Sequence, residues 1–429
     1  MTSRVDETTS RRADVLVVGA GPSGVAAAIT AQRAGLRVIV IDKATFPRDK
    51  CCGDGLTTGA LRLLDRLGLA PSSVPSWTPC RDVTLRSPSG RTIELQLPDD
   101  GQFAAIATRE DLDDALVRHA RSLGIEVREA TEFVGATSAA GGTTGSTTGS
   151  TTGSTTCNTT GSTTGSMVRV ETSAGTIEAR TVIAADGMWS PVRKAVAPEA
   201  SAYLGEWHAA RQYAHNVTGP AAHRLFVWFE PELLPGYAWS FPLQGGRANL
   251  GYGILRGGSV RTADSKALWQ QILTRSHVQA ALGTDAVIEE KFMAWPIPAK
   301  VTRSSLSHGH VLFVGDAARA TDVLTGEGIG QALLSGILAG EAAATKHPAR
   351  SYERAMKNNF FADHRMSALL GRVLASERLA RGAMRIIDGG DWRKEKFVRW
   401  MFEDEARASA FTPRRWHRGY LSSRGAYAN

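Results

Sequence analysis

The sequence predicts an α/β fold: a parallel nucleotide-binding sheet assembled from separated segments, an antiparallel sheet domain set into it, and a helical C-terminus. Three observations predict this. Asp14–Asp42 reads as one strand–helix–strand unit. His310–Gly315 is another buried strand far downstream. Between them, Tyr203–Met293 is a block of short, aromatic-rich runs. Strands alternating with helices argue a parallel sheet, and runs of short strands argue an antiparallel one. A chain of 429 residues is long enough to bury two cores.

The first unit opens with Val15–Val18, a short unbroken apolar run, as expected of a strand buried on both faces. Gly19, Gly21 and Gly24 then form G-x-G-x-x-G. A dinucleotide needs those glycines for a tight turn, close backbone approach to the pyrophosphate, and helix–strand packing. Pro22 sits in the opening turn of the next helix, where its missing N–H costs nothing. The Ala-rich stretch Val25–Ala34 is that helix, and its positive N-terminal end faces the phosphates. Gly35 ends it, and Arg37–Ile41 is the second strand. Asp42 closes the unit, where a carboxylate can hold a ribose hydroxyl and would repel a 2′-phosphate. At this point either FAD or NAD fits.

Further along, Leu56–Leu67 has helical apolar periodicity, and Val83–Leu85 with Thr92–Leu97 flank a Ser-Pro-Ser-Gly turn as a hairpin. Arg109-Glu110-Asp111 opens a helix running to about Leu123, and the segment after Gly124 begins a strand. Gly141–Ser166 is Gly-Gly followed by six tetrads of the Thr-Thr-Gly-Ser type, one changed to Thr-Thr-Cys-Asn around Cys157. It has nothing to bury, so it reads as an expanded hairpin loop between strands. Val182–Ala185 is a buried strand ending at Asp186-Gly187. In the middle block, Arg224–Phe229, Tyr237–Phe241 and Ala248–Ile254 are strand-like, with one helix near Ser265–Gln279. Asp316 ends the His310–Gly315 strand, and Gly326–Gly330 precedes a helix over Gln331–Lys346.

The first twelve residues are polar with no apolar signal core, and no apolar run is long enough to span a bilayer, so a cytoplasmic location is expected. Cys51, Cys52, Cys80 and Cys157 are too scattered for a disulfide framework or a zinc site. Net charge is +8, but Lys346–Asn429 alone carries 18 Lys/Arg against 9 Asp/Glu, leaving the remainder at −1. The basic character therefore belongs to the tail. There Trp392, Trp400, Phe402, Phe411 and Trp416 lie among Arg393, Lys394, Lys396, Arg399, Arg414, Arg415 and Arg418. That mixture suits an anionic membrane surface; the alternative is a basic face over an aromatic satellite core. Nucleic acid is not expected.

Three stretches now converge: the first unit, Asp186-Gly187 with Ser190 and Arg193, and Val314–Gly330 (VGDAAR, then LTGEGIG). Together they resemble the FAD-containing superfamily of aromatic hydroxylases and geranylgeranyl reductases, over residues 13 to about 345. The resemblance implies FAD, held in a glutathione-reductase-like, Rossmann-type domain. It places Gly19, Gly21, Pro22, Ser23, Gly24, Asp42 and Lys43 at the ADP half, with Arg109 at the start of its helix as an FAD contact. It further implies Lys50, Cys52, Gly53, Asp186 and Gly187 at the cofactor, Asp316 on the ribityl chain, and Gly326, Gly328, Ile329 and Gly330 by the flavin's pyrimidine edge. A helix N-terminus there would favour the anionic charge of reduced flavin. The implied FAD domain is 13–75, 101–195 and 296–345, the substrate domain 76–100 and 196–295, and the helical basic region 346–429.

Two stretches resemble the geranylgeranyl reductase branch. Lys50-Cys51-Cys52-Gly53-Asp54-Gly55 fits K-x-C-G-x-G, and Tyr237-Ala238-Trp239-Ser240-Phe241-Pro242 fits Y-x-W-x-F-P, with Gly251 and Gly253 downstream. Departures are Leu243 for a frequent Lys, Thr58 for Pro, and Arg319 for Gly; they bear on the substrate rather than the fold. The implied activity is saturation of C=C bonds in an isoprenoid chain on a lipid, quinone or diphosphate. Hydride comes from flavin N5, and the protein orients the alkene, excludes water and offers a proton. Cys52 is the candidate near the reacting carbons, as proton donor or lid contact, against a packing role under its loop. Tyr237 and Trp239 would wall an apolar tunnel, against an ordinary core role. With no second dinucleotide fingerprint, NAD(P)H must dock transiently; a protein donor or a deazaflavin is equally open. The rivals are a flavin monooxygenase of a small aromatic or polyketide, a halogenase of such a metabolite, for which W-x-W-x-I-P and a catalytic Lys are expected, and a non-catalytic prenyl-lipid carrier.

Overall fold

The computed structural model describes residues 12–138, 167–197, 203–413 and 416–428. The Thr-Thr-Gly-Ser tract lies outside the described residues, as do Arg414 and Arg415. The strands flanking the tract pair antiparallel, Ser138 opposite Val168.

One sheet runs, edge to edge, Ser307–His308, Val311–Phe313, Gly175–Ala184, Arg12–Val18, Val38–Ile41 and Glu126–Arg128. Along this order all pairings are parallel except the first, and Val168–Thr172 with Phe133–Ser138 joins Gly175–Ala184 antiparallel. Leu16 stands between Val182 and Ile39, and none of the three is exposed. This central placement is why these strands read as continuous apolar runs. The Ala-rich helix Pro22–Arg33 connects the first two strands. It packs against the helix Ile329–Ala343 so closely that a Cβ on Gly336 would stand 2.1 Å from Ser23 O, and one on Gly340 2.6 Å from Ala27 O. Sandwiched between sheet and helix, Ala26, Ala27, Ala28 and Ala31 are fully buried, so the helix shows no polar face to periodicity.

A second sheet runs Val287–Ile288, Trp207–His215, Arg247–Leu255, Tyr237–Leu243, Leu225–Trp228, Asp82–Arg86 and Thr92–Gln96. It is antiparallel except where Leu225–Trp228 meets the early hairpin in parallel. The single helix expected near Ser265–Gln279 is two, Ser265–Leu273 and Ser276–Leu282. Arg275 is extended between them (φ −67°, ψ 137°), with its guanidinium held 2.8 Å from Glu232 and also by Glu230. The break lets Val278 and Leu282 reach the core that already holds Trp269 and Ile272. Likewise the strand expected after Gly124 is divided into Glu126–Arg128 and Phe133–Ser138, with Ala130 at φ +49° between them.

The C-terminal helices Pro348–Leu374, Glu377–Ile387 and Asp391–Met401 bind to both sheets. Tyr352 is buried under the first, its hydroxyl donating to Phe313 O at 2.6 Å. Met384, Val398 and Phe402 share a core with the hairpin of the second. Phe402 therefore belongs to an internal core, whereas Trp392, Phe411 and Trp416 are exposed.

Candidate functional site

One cavity of about 750 Å³ starts at the C-terminal ends of the parallel strands and runs beneath the second sheet to the C-terminal helices. At its polar end the glycine turn does what its sequence requires. Gly19 has φ +105°, and a Cβ there would strike Ala185 O at 2.4 Å; a Cβ on Gly24 would lie 1.8 Å from Gly19 O. Gly21 is different: a Cβ would meet only Arg48 Nη2 at 3.7 Å and Arg109 Nη2 at 3.9 Å. Its backbone thus faces open space flanked by two guanidiniums, at the N-terminus of a helix that begins at Pro22.

Arg109 is buried and grips Asp113 through Nε at 2.8 Å and Nη2 at 2.6 Å. Arg48 Nη2 reaches the same carboxylate at 2.9 Å, while its Nη1 is buried without a hydrogen-bond partner. Two cations on one carboxylate leave a net positive charge, and with the orphaned N–H and the helix end they fit a pyrophosphate. Asp42 accepts from Ala20 N at 2.7 Å and Ala44 N at 2.8 Å. Each oxygen keeps a free lone pair for a ribose hydroxyl. Ser23 and Lys43 also line this end.

Further in, Asp316 faces the cavity 3.5 Å from Lys50 Nζ, a pair suited to a polyhydroxyl chain. Gly187, Gly326 (φ +71°), Gly328 and Ile329 line the wall beside it. Asp186 lines it too, but its oxygens accept from Ser190 Oγ at 2.6 Å and Val192 N at 2.9 Å. It caps the helix Pro191–Val196, and burial holds its carboxyl up at about 6. Two expected cofactor residues lie off the cavity wall. Gly24 serves the turn, and Gly330 N–H donates to Glu327 Oε1 at 2.7 Å to fix the loop.

At the apolar end Tyr237, Trp239 and Phe241 stand in a row, with ring centroids 6.0 and 5.9 Å apart. Gly251 makes room for the middle ring: a Cβ there would lie 2.3 Å from Trp239. A Cβ on Gly53 would lie 3.5 Å from both Trp239 and Phe241. Trp239 Nε1 donates to Asn249, which donates to Asp54 at 2.7 Å and to Cys52 O at 2.9 Å. Tyr213 OH completes the network onto Asp54 at 2.7 Å. Asp54 is wholly buried, and burial outweighs these bonds to hold its pKa up at about 6. Burial, with the Asp54 charge added, pushes the Cys52 thiol up to about 11.

Sequence reasoning missed Asp54, Arg48 and a cluster under the Gly326–Gly330 loop. Glu327 lies there with Glu403, Asp322 and Arg407. Arg407 Nη2 reaches Glu403 at 3.2 Å, its Nε lies 3.5 Å from Asp322, and Thr57 donates to Glu403 at 3.0 Å. Burial first, then the neighbouring Glu403, pushes Glu327 up to about 8. A carboxylate between two loop glycines was a usable signal; Arg407, some 80 residues away in the chain, gave none.

The FAD binding domain family matches residues 12–334. The chain belongs to it. It is an FAD-dependent oxidoreductase, with relatives named as reductases. It is 32% identical over 350 residues to the menaquinone reductase of Mycolicibacterium smegmatis, covering 77% of this chain and 76% of that one. It is 31% identical over 338 residues to digeranylgeranylglycerophospholipid reductase 2 of Methanopyrus kandleri, again 77% and 76% of the two chains. A geranylgeranyl bacteriochlorophyll reductase-like protein of Thermoplasma acidophilum shares the fold, with a TM-score of 0.69 at 22% identity over 89% of this chain and 92% of that one. These likenesses place the chain in the geranylgeranyl reductase branch.

Proposed function

We propose that the protein saturates C=C bonds in the isoprenoid chain of a quinone or lipid. The observation that carries this reading is the continuity of the cavity. It leads from the glycine turn past Tyr237, Trp239 and Phe241 to Leu370, Ile387 and Trp400, an apolar length suited to a prenyl chain rather than a small aromatic. Menaquinone and digeranylgeranyl lipids, named in the relatives, both carry such chains.

Gly19–Ser23, Asp42, Lys43, Arg48, Arg109 and Asp316 would hold FAD, which when bound and reduced would supply hydride. Arg48 and Arg109 neutralise the pyrophosphate. Tyr237, Trp239 and Phe241 orient the alkene and exclude water. The other alkene carbon needs a proton, and Cys52 and Glu327 are two of the cavity-wall groups that hold one at neutral pH. Cys52, at about 11, is a thiol. Glu327, at about 8, is largely protonated and closer to the value that favours transfer near neutrality. The reductant is NAD(P)H or another low-potential donor that docks transiently.

The test is anaerobic. The flavin is reduced with dithionite, prenyl quinones and phospholipid precursors are added, and reoxidation is followed with mass spectrometry of the lipids. Reoxidation with a gain of two hydrogens per event is the expected result. A flavin that stays reduced until oxygen enters would favour a monooxygenase or halogenase. Cys52→Ala should lower alkene reduction with FAD still bound; unchanged turnover reduces Cys52 to a packing role.

A further inference from the structure

The cavity does not end inside the protein. Its far wall is made by Leu370, Val373 and Leu374 of one C-terminal helix, Ala383 and Ile387 of the next, and Phe397 of the last. Val373 is already 36% exposed, so the apolar limb opens to solvent between these helices. Around that opening the surface is apolar where a solvated helix would be polar. Leu369 is 53% exposed, Leu379 50%, Ile386 65% and Trp392 70%.

The helix Glu377–Ile387 shows how the sequence builds this. Ala380 and Met384 point inward and are buried. Leu379 and Ile386 lie on the adjoining stripe, so the apolar face is wider than the core it covers. Arg378 and Arg385 are exposed on the other side, as are Arg372 and Arg393 on the neighbouring helices. The acidic residues here are mostly engaged: Glu377 lies 3.7 Å from Arg381, and Asp388 pairs with Arg91 at 2.5 Å and Lys394 at 3.1 Å. Asp391 is exposed. Among the described residues no helix is long and apolar enough to cross a membrane. An amphipathic helix with a basic polar face and exposed Leu, Ile and Trp beside it lies in a bilayer interface rather than spanning it.

Resting on the reading that the substrate is a lipid-phase prenyl chain, we propose that the three C-terminal helices are the mouth of the cavity and seat it on an anionic lipid bilayer. The exposed Leu369, Leu379, Ile386 and Trp392 enter the acyl boundary. The flanking arginines meet anionic headgroups, and the prenyl chain passes between Val373 and Ile387 toward Tyr237 without crossing water. A second copy of this chain or a protein partner would need the same apolar face but would leave the ring of arginines unexplained.

The experiment uses the full-length holoenzyme. Co-sedimentation is measured with phosphatidylcholine vesicles, with and without phosphatidylglycerol, at low and high salt. The wild type should bind the anionic vesicles and be weakened by salt. Leu379→Glu/Ile386→Glu, at two exposed positions outside the cavity wall, should bind about tenfold more weakly while retaining its FAD. That variant should lose turnover on vesicle-embedded substrate but keep it on detergent-dispersed substrate. Wild type that ignores anionic vesicles, or a variant that binds them equally, overturns the proposal. So does a variant that merely splits a dimer in gel filtration when neither protein binds vesicles. If vesicle binding is lost as expected but no prenyl lipid is reduced in either format, the docking surface stands and the functional reading falls.

Discussion

At Gly21 and Gly24 the same residue type answers two different demands, and substitution separates them. A side chain at Gly24 would collide with Gly19 O at 1.8 Å, so Gly24→Ala should distort the turn itself and lower thermal stability. At Gly21 the nearest atoms are 3.7 Å away. Gly21→Val should therefore fold, with a near-native melting temperature, yet purify colourless because its branches occupy the pyrophosphate position. Yellow Gly21→Val protein would refute that placement. Glu327 makes a second residue-scale prediction. Its pKa rises from the ordinary 4.5 to about 8, so the folded chain holds a proton that the unfolded chain releases. Its contribution to stability is thus lost as pH rises from about 4.5 through 8. Glu327→Gln, which cannot ionise, should flatten that decline in denaturant midpoints measured across the window. An unchanged slope would mean Asp54 and Asp186, both held up at about 6, dominate it.

Among the elements, the parallel strands, the Ala-rich helix and the aromatic run Tyr237–Pro242 were legible because each is specified locally. A strand buried on both faces is apolar throughout, and a turn that must approach phosphate is written in glycine. What the sequence hid depends on contacts distant in the chain. Asp54 looked like a loop residue until Tyr213 and Asn249, both more than 150 positions later, closed over it. The kink at Arg275 is set by Glu230 and Glu232 on another segment, which helical periodicity cannot register. The pairing of Pro22–Arg33 with Ile329–Ala343 carries its own prediction. Gly336→Ala would place a methyl 2.1 Å from Ser23 O, an overpacking that costs roughly 1–3 kcal/mol or more. Its denaturant midpoint should fall, and because Ser23 lines the cofactor end, FAD affinity should fall with it.

For the molecule as a whole, the C-terminal third of the helices is part of the flavin protein rather than an appendage to it. Arg407 offsets three carboxylates beneath the Gly326–Gly330 loop, and removing a buried partner of that kind leaves uncompensated charge. Tyr352 seals the first sheet, and Phe402 with Val398 seals the hairpin of the second. Truncation after Lys346 should therefore not yield a stable FAD domain. It should expose both cores at once, aggregate, and fail to retain flavin. Arg407→Met isolates the electrostatic part, keeping much of the side-chain volume while removing the charge. Without the guanidinium, Glu327, Glu403 and Asp322 repel one another, so the variant should recover stability as pH falls and the carboxyls protonate, the direction in which the burial-raised Glu327 already leans. A thermal-denaturation series between pH 5 and 8 checks this. A constant offset from wild type at every pH would mean that Arg407 acts through packing against Trp400 rather than through charge.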